Sequence, residues 1–394
     1  MRTVGIICEY NPLHLGHKKQ LDALKAAGYR IVCLMSGNFV QRGAPSIIDK
    51  TLRARAAVLS GTDLVLELPL TAALSSAEGF ASEGVRLLSP FCDGLCFGAE
   101  NTDGLIEAAQ ALLSESFPDC LRKELDQGLS FPTARQKALE QMGLDGSILG
   151  KPNNILAIEY CKAILSQHSP MTPMPIHREG SYHDELPDSD NPSATAVRKL
   201  MLSPCHCEED AVRRGNLLQN WQAYVPDTAV DIFESATLHS LDAGERAILC
   251  KLRSMTDAEF EVLPYSSEGL WRKLMHASRS CATLEEIATA VKSKRYTRSR
   301  IDRMILCAFL GLTSEDLSSP APYARVLAFN DAGRELLKTA RQHGLYPNIG
   351  EEIDHPYQAL ENRADALYGL FAHGTPEPPK RKDRVSYITS TKRG

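Results

Sequence analysis

The sequence GIICEYNPLHLGH, residues 5–17, decides the fold class of this chain. An apolar run at 3–9 is followed by a His-x-Gly-His motif and then by a segment with helical spacing at 15–27. This order predicts a buried strand that ends at a helix N-terminus. In open α/β sheets ligands bind at such strand ends, where free helix amides attract phosphate. The pattern therefore predicts a nucleotide site.

The two histidines of the motif, His14 and His17, are three residues apart and share one face of a helical first turn. Both imidazoles can hold one phosphate, and Gly16 has no Cβ to keep a nucleotide from the backbone. Attack on an α-phosphate builds negative charge, which two histidine donors stabilise. One alternative is that the two histidines are merely solvated or structural, which their position at the end of the first strand argues against. A zinc pair is another, but no third ligand lies nearby and the glutamate of a zincin helix is missing. We therefore predict catalytic histidines and no metal site.

The rest of the first half alternates strand-like and helical segments, which predicts an α/β fold with a doubly wound parallel sheet. Strands are expected at 3–9, 30–36, 63–68, 94–98 and 174–177, and helices at 15–27, 49–60, 77–88 and 152–166. After residue 203 the strand pattern fades, and helices are expected at 211–221, 244–253, 284–292, 299–310 and 332–343. We expect a catalytic ATP-binding domain at 1–203, a mainly α-helical C-terminal domain at 204–373 and a basic flexible tail at 374–394.

Composition excludes several protein classes. The 394 residues are 43% apolar and 24% charged, which is typical of globular proteins, and no apolar run is long enough to span a membrane. The N-terminus lacks a basic region followed by a long apolar stretch, so we expect no secretion signal. Eleven cysteines without a CxxC pair favour a reducing, cytoplasmic location. The net charge of −5 gives no general attraction to DNA or RNA, so RNA binding requires a local basic patch.

Two further segments bring polar groups toward the predicted site. SATAVR, residues 193–198, opens a helix with Ser193 and Thr195 and places Arg198 one turn further on. Their hydroxyls, the helix amides and the guanidinium suit the outer phosphates of a nucleotide, which leave as pyrophosphate. Ser193 is also a plausible simple N-cap. SGNFVQRGAP, residues 36–45, follows the second strand, and its Arg42 can hold a carboxylate substrate or an adenylate. A solvated loop with a surface arginine is the alternative.

Several motifs together resemble a known family. The His-x-Gly-His motif with the downstream S-x-T-x-x-R motif resembles the HIGH-type nucleotidyltransferases, which have a Rossmann-like sheet. More closely, GIICEYNPLHLGH, SGNFVQRGAP, DLVLELP at 63–69, FGAE at 97–100, PNNIL at 152–156 and SATAVR are similar to the bacterial tRNA(Met) cytidine acetate ligase family. The chain departs from the family pattern at Leu13, Leu15 and Ala44, which affects the expected shape of the pocket.

The resemblance implies a reaction and a set of contacts. ATP and acetate would form acetyl-adenylate, and the acetyl group would pass to N4 of the wobble cytidine, position 34, of elongator tRNA(Met), giving N4-acetylcytidine. Magnesium is expected with the triphosphate. Together with the residue arguments above, this predicts His14, His17 and Arg42 as catalytic, and as ATP-binding Ile7, Cys8, Glu9, Tyr10, Asn11, Pro12, His14, Gly16, His17, Lys18, Gln20, Gly98, Asn153, Asn154, Arg178, Ser193, Thr195 and Arg198.

The strongest nucleic-acid feature is KSKRYTRSRIDR, residues 292–303. Its cations can neutralise phosphates of a folded RNA, and its tyrosine can stack on an exposed base. The RNA-binding prediction names Lys294, Arg295, Tyr296, Arg298, Arg300 and Arg303. A solvated basic face is the alternative. The basic tail is a weaker candidate, and Cys205-His206-Cys207 supplies too few ligands for a metal site.

Two other functions stay open from the sequence. A small-molecule nucleotidyltransferase would use the same motif on a phosphorylated metabolite and would not need the basic helical region. A non-catalytic RNA-binding protein would keep the basic patch without ATP chemistry. The expected partners are elongator tRNA(Met), acetate and ATP, with no membrane and no DNA.

Overall fold

A computed structural model describes residues 2–178, 192–203, 221–293, 296–340, 342, 346–379 and 385–388. The strands are β1 Thr3–Cys8, β2 Arg30–Ser36, β3 Phe39–Val40, β4 Ala44–Pro45, β5 Leu64–Leu68, β6 Gly94–Ala99, β7 Thr172–His177, β8 Val326–Phe329 and β9 Ser386–Tyr387. Seven of them form one sheet in the order β7-β6-β1-β2-β5-β8-β9, while β3 and β4 form a short hairpin. Within the large sheet, only the β5–β8 pair is antiparallel. The five strands predicted from the sequence are confirmed to within two residues at each end.

The order of the strands reverses beside β1. The chain runs from β1 to β2 and β5 on one side, then returns to place β6 and β7 on the other. Strands β1 and β6 pair only at Val4 with Gly94 and at Gly5 with Leu95, although both continue for several residues. They therefore diverge toward their carboxyl ends. Such a switch point opens a crevice that suits a ligand.

Helices cover both faces of the sheet. The bounds in the first half are α1 Leu15–Ala26, α2 Lys50–Leu59, α3 Leu70–Ala73, α4 Ala77–Leu88, α5 Leu105–Leu113, α6 Phe117–Asp126, α7 Phe131–Gln141, α8 Pro152–Ser166 and α9 Ala194–Leu202. Successive strand residues point to opposite faces. Val32 and Leu34 accordingly pack with α4, α5 and α8, while Ile31, Cys33 and Met35 pack with α1 and α2. The predicted doubly wound sheet is confirmed.

The second half is mainly helical, as predicted. Its helices are α10 Asp227–Glu234, α11 Leu241–Ser254, α12 Asp257–Glu261, α13 Leu270–Ser280, α14 Leu284–Val291, α15 Arg298–Leu310, α16 Ser314–Ser318, α17 Asp331–Ala340 and α18 Pro356–Tyr368. Helices α11 to α16 and α18 share an apolar core of their own, which also takes in Phe39 and Leu74 from the first half. Helices α10 and α17 instead pack against the two faces of the sheet. The expectation that strands end near residue 203 is wrong, because β8 and β9 extend the sheet. The domain limits at 203 and 373 stay a prediction.

A buried ionic network joins the two halves. Lys50 is 2% exposed, and its Nζ lies 2.9 Å from Glu67 and 2.7 Å from Asp365 of α18. Asn38 Nδ2 donates to the same Asp365 carboxylate at 3.1 Å. A Cβ on Gly37 would lie 2.2 Å from Glu67 Oε1, so a larger residue there would displace the carboxylate that pairs with Lys50. The network holds α18 against the loop that follows β2.

In the described part of the chain, no helix combines the length and the apolar character needed to cross a membrane.

Candidate functional site

The switch point holds a cavity of about 570 Å³. Its wall is built from the carboxyl ends of β1, β6 and β7 and the N-terminal turns of α1, α8 and α9. Sixteen of the residues predicted to act in catalysis or ATP binding line it: Ile7, Cys8, Glu9, Tyr10, Asn11, His14, Gly16, His17, Gln20, Arg42, Gly98, Asn153, Arg178, Ser193, Thr195 and Arg198.

Three predicted nucleotide contacts do not line this cavity: Pro12, Lys18 and Asn154. Lys18 forms an ion pair with Asp22 on the outer side of α1. Asn154 is fully buried, and its Oδ1 accepts the Asn101 N–H at 3.0 Å. Its side chain supports the turn after β6. A direct contact of this residue with ATP stays a prediction.

The two motif histidines lie against each other at the start of α1. Their ring centroids are 3.7 Å apart with planes inclined by 25°. The His14 backbone N–H donates to His17 Nδ1 at 3.4 Å, so a neutral His17 carries its proton on Nε2. His14 is 3% exposed, and neither of its ring nitrogens has a hydrogen-bond partner among the described residues. Such unpartnered nitrogens in a cavity wall are available to a polar ligand.

Both imidazoles are held in the neutral form. Burial lowers the pKa of His14 to about 3, with the charges of Arg178 and Arg198 adding to the effect. Burial also lowers the pKa of His17, together with the charges of His14 and Arg178. At neutral pH these rings therefore act as hydrogen-bond donors rather than as cations. An anion that enters the cavity would oppose the effect of the arginines and raise both pKa values.

A side chain at Gly16 would crowd the neighbouring ring of His14. A Cβ at this position would lie 3.0 Å from His14 Cε1 and 3.1 Å from its Nδ1. The sequence argument assigned the space above Gly16 to a nucleotide, whereas in the structure the nearest atoms belong to the imidazole. The absence of a side chain at this position thus leaves room for the His14 ring.

Three arginines face the cavity: Arg42, Arg178 and Arg198. Burial lowers the pKa of Arg198 to about 10, with the charge of Glu9 opposing this shift and the charge of Arg42 contributing to it. The pKa of Arg178 is likewise lowered, first by loss of solvation and then by Arg42. The guanidinium groups are therefore close enough to repel one another. A polyanion such as a triphosphate relieves this repulsion.

Helix α9 is attached to the end of β1 through Arg198. Its Nη1 donates to the Asn11 carbonyl at 2.5 Å, and its Nη2 donates to Thr195 Oγ1 at 3.1 Å. Ser193 Oγ accepts the Ala196 N–H at 3.1 Å, so this serine caps the helix while it lines the cavity. The two interpretations of Ser193 are thus compatible.

The start of α8 fixes the turn after β6. Asn153 Nδ2 donates to Glu100 Oε1 at 2.7 Å, and the Asn154 N–H donates to Glu100 Oε2 at 2.8 Å. Arg178 Nη1 lies 3.5 Å from Asn153 Oδ1. The FGAE and PNNIL motifs therefore form one wall of the site.

The loop that carries Arg42 is held from both sides. The Gln41 N–H donates to Glu9 Oε1 at 3.1 Å, and Arg303 Nη1 of α15 donates to the Gln41 carbonyl at 3.3 Å. Gly43 has φ +81°, and a Cβ there would lie 2.5 Å from the Arg303 backbone nitrogen. This glycine lets the loop contact the backbone of α15 directly.

Arg53 holds the strand ends beneath the site, a role that the sequence analysis missed. Its side chain is fully buried in α2. It donates to the carbonyls of Ile48 at 2.8 Å, Glu9 at 2.5 Å, Ser36 at 3.1 Å and Gly37. One guanidinium thus connects the carboxyl ends of β1 and β2. The sequence signal is weak, because Arg53 and the exposed Arg55 look alike within a helix.

The sequence analysis also missed an apolar wall and one basic residue of the cavity: Phe80, Phe97, Leu156, Tyr160 and Lys19. The Phe97 and Tyr160 rings are 5.4 Å apart. An apolar, aromatic wall suits the flat face of a nucleobase. Phe97 and Leu156 belong to quoted motifs, FGAE and PNNIL. The other three residues become neighbours of the site through the packing of helices on the sheet.

The chain supplies no cluster of metal ligands in its described ranges, where no group of three His, Cys, Asp or Glu side chains could hold an ion. Magnesium prefers to keep water and to bind substrate phosphates with few protein carboxylates.

The structure corrects part of the RNA-binding prediction. Tyr296 is 3% exposed and its hydroxyl donates to the Glu268 carbonyl at 3.0 Å, so the ring is not available to stack on a base. Arg298 forms ion pairs at 2.8 Å with Glu285 and with Asp302, which neutralise its charge. Lys294, Arg295, Cys205-His206-Cys207 and the basic residues at 380–384 lie outside the described residues, as does most of the helix expected at 211–221.

Arg300 and Arg303 are partly buried and bonded to neighbouring groups. Arg300 Nη2 donates to the Tyr265 carbonyl at 3.0 Å and to Ser267 Oγ at 2.8 Å. Arg303 lies over the Tyr265 ring, with its guanidinium carbon 5.0 Å from the ring centroid. Their part in RNA binding stays a prediction.

A cationic cavity with paired histidines at the switch point of a parallel sheet defines an α/β nucleotide-binding protein. The HIGH Nucleotidyl Transferase family model matches residues 1–383. The chain is 35% identical to tRNA(Met) cytidine acetate ligase of Acetivibrio thermocellus, with 89% of this chain and 88% of the relative covered. It is 36% identical to the same protein of Clostridium acetobutylicum, with 94% and 96% covered.

Solved structures agree with these matches. The crystal structure of Thermotoga maritima TmcAL in its apo form superposes with a TM-score of 0.85 at 27% identity, covering 99% of this chain and all of that chain. The form bound with alpha-thio ATP gives a TM-score of 0.82 over the same coverage. The fold is thus that of the HIGH nucleotidyltransferases. Within that class, the chain belongs to the tRNA(Met) cytidine acetate ligase family.

Proposed function

We propose that this chain is an ATP-dependent ligase that forms acetyl-adenylate from ATP and acetate. It then transfers the acetyl group to N4 of cytidine 34 of elongator tRNA(Met), giving N4-acetylcytidine. The observation that carries the proposal is the cavity at the switch point, where His14 and His17 face three arginines. Family membership supports the same conclusion.

In the first half-reaction, an acetate oxygen attacks the α-phosphorus of ATP and pyrophosphate leaves. Acetate is already an anion, so the step needs no general base. Charge builds on the α-phosphate oxygens, and the His17 Nε2–H and a nitrogen of His14 donate hydrogen bonds to them. The three arginines hold the leaving pyrophosphate and acetate in position. Magnesium, when bound to the triphosphate, lowers its charge.

In the second half-reaction, the cytidine N4 amine attacks the carbonyl carbon of acetyl-adenylate. The bond between that carbon and the AMP oxygen breaks, AMP leaves, and N4 loses a proton. An exocyclic amine conjugated to the base is a weak nucleophile. The mixed anhydride compensates by supplying an activated acetyl group with AMP as the leaving group, and the protein raises the rate by holding the two reactants in place. The RNA must therefore place one base over the strand ends. We expect this reaction in the cytoplasm, where the tRNA substrate is found.

Acetate-dependent exchange of pyrophosphate into ATP tests the proposal. We expect His14→Ala and His17→Ala to lower the exchange rate about 10²–10³-fold, because each removes a donor to the developing charge. Lys338→Ala, an exposed residue of α17, is the control and should leave the rate unchanged. Exchange supported by a phosphorylated metabolite instead of acetate would identify a small-molecule nucleotidyltransferase. No exchange with any acid, together with tRNA binding, would identify a non-catalytic RNA-binding protein.

A further inference from the structure

Helix α13, with the sequence LWRKLMHASRS, presents an exposed basic face that lies outside the 292–303 run. Leu270, Leu274 and Met275 are buried in the helical core. Arg272 and Lys273 point away from that core and are exposed. The helix thus combines a core-packing side with a cationic side.

Ion pairing distinguishes the free cations in this region from the neutralised ones. Arg279, also on α13, pairs with Asp257 at 2.7 Å, and Arg298 pairs with Glu285. By contrast, no ion pair joins Arg272 or Lys273 to any residue that the structure describes. These two cations are therefore available to an external anion.

Tyr296 connects α13 to the start of α15. Lys273 Nζ lies 5.4 Å from the centre of the Tyr296 ring, and the Arg300 guanidinium lies 5.3 Å from it. Arg300 bonds to a carbonyl and a hydroxyl, so it keeps its charge without a carboxylate partner. Lys273 and Arg300 thus both lie against this buried ring, and Arg272 precedes Lys273 on the exposed side of α13. We term these three residues the α13 surface.

This surface continues to the edge of the nucleotide cavity. One turn after Arg300 on α15, Arg303 donates to the Gln41 carbonyl. Gln41 and Arg42 both line the cavity. The backbone of α15 also contacts Gly43 of the same loop. A ligand that spans the α13 surface can therefore extend along α15 to the site of the chemistry.

We propose that the α13 surface binds the phosphate backbone of the tRNA whose cytidine enters the cavity. The inference rests on the proposed function and names the place where its RNA substrate docks. Three neighbouring cations that have no carboxylate partner among the described residues suit consecutive phosphates, whereas a protein partner would bring separate carboxylates. Trp271, whose ring lies 4.9 Å from the Arg272 guanidinium, adds an aromatic neighbour at the same place.

Charge reversal with a matched control tests the surface. The test variant is Arg272→Glu with Lys273→Glu. Arg122 and Lys123 of α6 form the same dipeptide on an exposed helix, so Arg122→Glu with Lys123→Glu makes an identical change of charge elsewhere. The full-length chain is titrated with unmodified tRNA(Met) transcript at several salt concentrations. Thermal unfolding of both variants checks the fold, and if the glutamates prevent folding the glutamine pair replaces them.

We expect the test variant to bind tRNA at least tenfold more weakly, and its slope of log K against log salt to fall by about two. The control should match wild type. Equal Kd values and slopes for test and control would overturn the proposal. So would wild-type binding of polyglutamate that depends on Arg272 and Lys273 while tRNA binding does not. Acetate-dependent pyrophosphate exchange of the wild type is measured separately, so its absence would refute the proposed function without affecting the docking result.

Discussion

Replacement of His14 by glutamine should change how the stability of the protein depends on pH. Glutamine keeps a polar side chain of similar size but cannot take up a proton in this range. The wild-type imidazole has its pKa lowered from 6.5 to about 3 by burial, with Arg178 and Arg198 adding to the shift. An unfolded chain binds a proton at this residue below pH 6.5, and the folded chain does not bind it until about pH 3.

The magnitude follows from proton linkage. Because the unfolded state holds more protons between pH 6.5 and 3, the free energy of unfolding falls as the pH is lowered through that window. His14 changes the free energy of unfolding by about 1.4 kcal/mol for each pH unit in this window. At pH 5, which lies 1.5 units below the ordinary pKa, His14 should therefore cost about 2 kcal/mol of stability relative to pH 7.5.

Urea unfolding of wild type and His14→Gln between pH 5 and pH 7.5 measures this effect. We expect the stability of the wild type relative to the variant to fall by about 2 kcal/mol over that range. A saturating ATP analogue should reduce the effect, because phosphate beside the ring raises its pKa. A difference between the two proteins that stays constant with pH would show that His14 is not held neutral, and would refute the electrostatic description of the site.

Three further predictions concern the groups that hold the site. Gly43→Ala should destabilise the chain by at least about 2 kcal/mol in urea unfolding, because strain at φ +81° adds to a 2.5 Å backbone contact. Gly28→Ala has the same φ with open space around it and should cost only about 1 kcal/mol. Arg53→Met should cost about 3–5 kcal/mol by leaving buried carbonyls unpaired, whereas the exposed Arg55→Met should cost less than about 0.5 kcal/mol. Gly16→Ala should lower the pyrophosphate exchange rate at least tenfold with little loss of stability, since it displaces the adjacent imidazole.

Much of the first half could be predicted because its signals are local. The apolar run of β1 passes directly into the histidine motif, and both lie where the sequence places them. Strand β8 was missed because it has four residues and pairs antiparallel at the end of the parallel set. Strand β9 has only two residues. Such short segments carry too little periodicity to stand out from loops.

Contacts between distant segments were not visible in the sequence. Tyr296 stands among basic residues, which favoured an exposed ring, yet it is buried by packing against α13. Asp365 gave no signal of its ion pair with Lys50, since 315 residues separate them. The unpaired cations of α13 were overlooked because the 292–303 run is richer in basic residues. The structure shows which cations pair with a carboxylate, and the composition of the sequence does not contain this information.

We propose that the cavity activates acetate with ATP for transfer to a tRNA base. The most direct measurement incubates the full-length chain with ATP, isotopically labelled acetate and tRNA, and then analyses the nucleosides. We expect label in N4-acetylcytidine, dependent on ATP and lost in His17→Ala. Label that fails to enter any nucleoside, in a preparation that still binds ATP and tRNA, would contradict the account.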